Sequence, residues 1–109
     1  MAAPVVPASA SGRVARAALQ SMPNVGPATA GDLIRLGIRR PDGLIGRDGD
    51  HLYAELCRLD GRRHDPCVRD VLAAAIAFAE GGPPRPWWEF TPARKERDAR
   101  SADPLAAER

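Results

Sequence analysis

Two stretches of helical periodicity between Gly12 and Ile38 are separated only by Met22-Pro23-Asn24-Val25-Gly26. So short a break turns one helix sharply back onto the other and demands backbone angles that most side chains resist. The first helix is expected over about Gly12 to Ser21, capped by Ser11, with Val14, Ala17, Ala18 and Leu19 at roughly helical spacing. Pro27 suits the first turn of the second helix, where its missing N–H is not wanted. That helix continues to about Leu36, with Ala30, Leu33 and Ile34 facing inward. Gly37 ends it as a left-handed cap, and Ile38 folds back onto the core.

The downstream sequence continues as helices. Pro41 to Ile45 fits one short helical turn. Asp48 or Asp50 caps a fourth segment whose buried stripe is Leu52, Tyr53, Leu56 and Cys57. After the polar loop Asp60 to His64, Asp65-Pro66 is a strong helix start. The helix it opens runs to about Glu80 through Val68, Val71, Leu72, Ala75, Ile76 and Ala79, and Gly81-Gly82-Pro83-Pro84 stops it. Arg85-Pro86-Trp87-Trp88-Glu89-Phe90-Thr91-Pro92 reads as an extended strap, too rich in proline for a helix, lying back across the helices. Thr91 then caps a short charged helix through Ala99. The expected organisation is a disordered leader over 1–10, one domain over 11–97 and a frayed tail over 98–109.

Aromatic residues make up 5% of the chain and β-branched residues are sparse, so the composition favours an all-α fold. A net charge of +2 identifies no polyanionic partner, but its distribution is uneven. Arg13, Arg16, Arg35, Arg39 and Arg40 face one acid, Asp32, in the first forty residues, and the next twenty are acidic. No apolar run is long enough to cross a bilayer, and no secretory signal pattern precedes the domain; a reduced, cytoplasmic protein is the default expectation.

Leu19 to Ile38 resembles the helix-hairpin-helix motif, matching its apolar helix end, its Pro-x-Val-Gly turn, the following alanine, the apolar pair and the closing Gly-apolar dipeptide. The resemblance implies binding to DNA backbone without reading sequence. The second helix offers its unpaired amides and positive dipole end to a phosphate. By that resemblance the contacts are Asn24, Val25, Gly26, Ala28 and Thr29, extended by Arg39 and Arg40. A potassium or sodium ion can sit on carbonyls near Met22, Asn24 and Gly26. Asn24 stands where the family has its first hairpin glycine; its side chain either crowds the phosphate or adds a hydrogen bond to it. The rest resembles the second half of a five-helix tandem helix-hairpin-helix unit, SAM-like in arrangement, with a degenerate second hairpin tipped by Arg62, Arg63 and His64. From Ala18 to Arg97, and most distinctively in the tryptophan strap, the chain resembles small bacterial pathogenicity-locus or mitomycin-resistance-like proteins. Their names imply a link to DNA or its damage, and thus an accessory role in repair or recombination.

Two thiols and two imidazoles, Cys57, Cys67, His51 and His64, form a conceivable zinc set, but the spacing is loose and buried structural cysteines account for them better. No nucleophile triad, P-loop or paired-carboxylate motif appears, and Lys95 is the only lysine, so no enzyme is expected. The main rival to DNA is a protein-interaction module that uses the hairpin as scaffold and Trp87, Trp88 and Phe90 as its contact surface.

Overall fold

A computed structural model describes residues 12–101, and every regular element among them is helical. The helices are α1 (Gly12–Gln20), α2 (Pro27–Arg35), α3 (Gly49–Asp60), α4 (Cys67–Ala79) and α5 (Thr91–Ser101). Single 3-10 turns, Pro41–Leu44 and Trp87–Phe90, precede α3 and α5. The protein is all-α. The expected leader, the Ser11 cap and the tail beyond Ser101 lie outside the described residues.

α1 buries Ala15, Ala18 and Leu19, and Met22 continues the same face. This i, i+3, i+4, i+7 stripe is rotated from the expected one, leaving Val14 48% exposed and Ala17 exposed. Leu19 and Met22, the largest apolar side chains available, set the inward face, and small Ala15 is buried on it. α2 ends as expected. Gly37 takes φ +87°, its amide donates to the Ile34 carbonyl at 2.9 Å, and the Ile38 amide donates to Leu33 at 2.9 Å. Ile38 is thereby folded into the core, 2% exposed.

α4 is the central helix, packed against α3, both 3-10 turns and α5. Its start is fixed by the Asp65 carboxylate, which accepts the Cys67 amide at 2.8 Å; α3 begins with Asp48 accepting the amides of Asp50 and His51 at 2.8 and 3.3 Å. Leu72, Ala74, Ala75 and Ile76 carry α4 into the core. Within that apolar helix Asp70 is buried, 1% exposed. Its two carboxylate oxygens accept from Thr91 Oγ1 at 2.8 Å and Arg94 Nε at 2.9 Å. Thr91 is therefore no cap: it is the first residue of α5, and its hydroxyl faces α4. Next to Asp70, Arg69 donates to Asp50 of α3 at 2.9 Å and bidentately to Asp98 of α5 at 2.9 Å. With Asp98 so held, α5 runs past its expected end at Ala99 to Ser101.

The strap is only partly extended. Prolines 83, 84 and 86 keep its first half open, but Trp87–Phe90 contains none and curls into a 3-10 turn, with the Glu89 amide donating to Pro86 at 3.1 Å. That turn lies on α4.

These ion pairs set an acid limit. Arg69 holds the Asp50 and Asp98 carboxyls below the usual range, and the Cys67 amide does the same for Asp65. Arg35, followed by His64, pulls Asp60 down to about 2. The unfolded carboxyls titrate near 3.9, so below that pH the unfolded chain takes up more protons than the folded one. The stabilisation is complete above about pH 4 and is lost as pH falls through the folded values. Thermal unfolding followed by circular dichroism is expected to show a melting temperature that drops between about pH 4 and 2. A midpoint unchanged across that window would mean that these contacts contribute nothing to stability.

Candidate functional site

At the α1–α2 turn the chain leaves bare backbone facing outward. Asn24 takes φ +70°, a conformation asparagine tolerates better than most residues. Val25 drops its side chain into the core, 6% exposed, and its amide donates to the Met22 carbonyl at 3.3 Å. It supports the turn from beneath and offers neither side chain nor amide outward. Gly26 has φ −91° and ψ −174°, extended backbone open to any residue. The left-handed position of this turn is thus Asn24, and Gly26 is not there for its backbone angles. A Cβ added to Gly26 would meet nothing within 4 Å. α2 begins at Pro27 with no side chain capping its amides. Ala28 and Thr29 sit in its first turn, exposed and half-buried, where amides have no intrahelical acceptor.

The Asn24 side chain is taken up by the strap. Its Nδ2 donates to the Arg85 carbonyl at 2.8 Å and its Oδ1 accepts the Trp87 amide at 3.1 Å. One side chain thus pins the strap to the turn from more than sixty residues away. Substitutions separate its two roles. Asn24→Gly keeps the left-handed angle but loses both strap bonds, so tryptophan emission should shift to the red while the helix content stays. Asn24→Ala adds strain of about 1–2 kcal/mol for a left-handed alanine and should be the less stable variant. Equal stability and unshifted emission in both would mean the pin holds nothing.

Arg16 belongs to this site although nothing in its local sequence sets it apart from the other arginines. Its Nη1 donates to the Pro27 carbonyl at 3.3 Å, and its guanidinium lies 3.7 Å from where a Cβ on Gly31 would be. A cation therefore runs beside the first turns of α2. The readable signal is Gly31, a mid-helix glycine that leaves room for it.

Arg39 and Arg40 do not join the turn. They follow the opposite end of α2, which at nine residues is about 13 Å long. With Arg47 they border a separate cavity of about 220 Å³. Arg40 Nε pairs there with Asp42 at 2.9 Å. Arg35 is taken up by Asp32 and Asp60. At the other helical turn, His64 is held rather than exposed: its ring bonds Asp60, its carbonyl accepts from Tyr53 Oη, and its amide donates to Cys57 Sγ at 3.3 Å.

Both cysteines are free thiols and half-buried rather than core residues. The Asp65 carboxylate, with burial, pushes the Cys67 thiol up. Among the described residues no three His, Cys, Asp or Glu side chains stand together as a metal site needs, and no helix is long and apolar enough to cross a membrane.

Residues 13–96, which include the turn, its asparagine pin and the strap, match the family described as Pathogenicity locus. The chain belongs to the pathogenicity-locus family. It is similar to the mitomycin resistance protein McrB of Streptomyces lavendulae, with 42% identity over 77 residues that cover 71% of this chain and 73% of the relative. No solved structure matches this pathogenicity-locus protein.

Proposed function

We propose that this pathogenicity-locus protein binds the DNA backbone weakly and without sequence preference, gripping a phosphate at the α1–α2 turn in the manner of a helix-hairpin-helix. In this reading α3 and α4 are the second, degenerate hairpin of a tandem unit and supply packing. The observation that carries the proposal is Gly26. Neither backbone angle nor crowding inside the fold calls for glycine there, while an approaching phosphate needs the side chain absent. The amides of Gly26, Ala28 and Thr29 donate to its oxygens, the α2 dipole adds positive potential, and Arg16 supplies a full charge nearby.

In the same reading the turn would also hold a monovalent cation. The Met22 and Gly26 carbonyls each accept one amide, from Val25 and Ala30, and keep a second lone pair. They and the Asn24 carbonyl would hold potassium or sodium, whose charge would neutralise the phosphate from the protein side. Arg39, Arg40 and Arg47 would meet a second phosphate farther along the backbone.

So few phosphate contacts give micromolar or weaker affinity at physiological salt. The fitting role is a non-catalytic, cytoplasmic accessory factor in repair or recombination, with a partner supplying the remaining affinity. A relative named for mitomycin resistance suits that role. Fluorescence anisotropy with labelled DNA of two unrelated sequences, at low and moderate salt, tests the reading. Equal affinity for both sequences, falling steeply with salt, is the expected result. Absence of binding even at low salt would overturn it.

A further inference from the structure

Trp88 is 60% exposed, a large indole surface that the fold leaves uncovered. Its surroundings are specific. Trp87 is half-buried and packs against it in a T-shaped contact, with centroids 5.8 Å apart and planes at 83°, so Trp88 is braced on one side while most of its surface stays exposed. The neighbouring Phe90 is covered by the Arg85 guanidinium at 4.5 Å, and Arg85 also pairs with Glu89 at 3.0 Å. Glu89 is thereby paired, and Trp88 is the exposed aromatic of the strap beside the half-buried Trp87 and Phe90.

Its position follows from the asparagine pin. The Trp87 amide is bonded to Asn24, Trp88 is the next residue, and Gly26 is two residues beyond Asn24. At ~3.8 Å per residue, the indole lies within the reach of a short single-stranded segment from the amides at the α2 start.

Resting on the backbone-binding reading above, we infer that Trp88 is a stacking platform for one unpaired nucleobase beside the phosphate grip, which makes single-stranded DNA the preferred ligand over closed duplex. A base has a π-face whatever its identity, so stacking adds affinity without adding sequence preference. A paired base keeps its faces inside the duplex and cannot use the platform. A protein partner suits this surface less well, because a protein hot spot sits in a broad desolvated patch, whereas Trp88 is one exposed ring beside an exposed Arg85–Glu89 ion pair.

The full-length protein is titrated with a labelled oligothymidylate, with the same oligonucleotide carrying abasic residues throughout, and with a duplex. Anisotropy gives affinity and intrinsic tryptophan emission reports stacking. The wild type should bind oligothymidylate at least about fivefold more tightly than the abasic strand, with quenched emission. Trp88→Ala should erase that difference and most of the quenching while leaving abasic binding unchanged; Trp88→Phe should retain part of the difference. Trp88 is exposed, so neither variant should alter the circular dichroism. If Trp88→Ala still prefers the base-bearing strand while Gly26→Glu loses all three ligands, the stacking inference fails and the phosphate grip stands. If the wild type binds none of the three, both fail. Binding of duplex and single strand with equal affinity and no quenching also overturns the platform.

Discussion

Asp70→Ala is expected to cost about 3–5 kcal/mol of folding stability, a large share of what a domain of this size possesses. The carboxylate is 1% exposed, and its partner Arg94 has a side chain only 9% exposed. Removing the acid leaves a buried guanidinium and the Thr91 hydroxyl without their acceptor. Asp98, 3.8 Å from Arg94 Nη1, compensates in part, which places the loss toward the lower end of that range. At roughly 4–8 °C per kcal/mol, the melting temperature should still fall by more than 10 °C. Thr91→Ala removes one hydrogen bond and should cost about 1 kcal/mol. Replacing both charges, as in Asp70→Leu with Arg94→Met, should recover much of the loss, because the apolar pair leaves no uncompensated charge. Urea denaturation measures all four proteins. A loss under about 1 kcal/mol for Asp70→Ala would show that α5 is not anchored through this pair.

That anchor lies beyond what local sequence rules can reach. The Asp48 and Asp65 starts, the Gly37 stop and the left-handed Asn24 are all legible, because each depends on residues a few positions away. Asp70 carries no such mark: in sequence it is one acid within an apolar helix, and its partners come 21 and 24 residues later. Thr91 resembles a cap for the same reason, since a threonine before a charged helix satisfies the local rule whether or not a buried acid claims its hydroxyl. In α1 the choice between Val14 and Ala15 depends on which face Leu19 and Met22 turn inward, a tertiary decision. The candidate site divides similarly. The turn and its open glycine are readable, but the side-chain fate of Asn24 requires the strap to arrive. Arg39 and Arg40, expected to extend the contact, lie past the far end of α2, about 13 Å along the helix from the turn, a separation that helix length alone already implies.

Gly26→Glu should separate folding from function more cleanly than any other single change. Gly26 already has backbone angles that glutamate can adopt, and the space in front of it is empty. Glutamate is a poorer helix cap than glycine, at a cost of up to about 1 kcal/mol, but its charge at the α2 start recovers about 0.3–1 kcal/mol through the helix dipole. The melting temperature should therefore shift by only a few degrees. DNA is affected very differently, because the carboxylate would lie where the phosphate oxygens approach, opposing the amides and Arg16. Affinity is expected to fall at least about tenfold, and the salt dependence should weaken by roughly one phosphate. Gly26→Ala, which adds a methyl group and no charge, should lose only part of the affinity and keep the salt slope. A Gly26→Glu protein that melts normally and still binds would remove the turn from the interface and leave Arg39, Arg40 and Arg47 as the cationic surface to test. A variant that fails to fold would instead make Gly26 an essential structural residue, whereas the geometry gives it only the α2 cap, since the left-handed position of the turn is Asn24 and its buried plug is Val25.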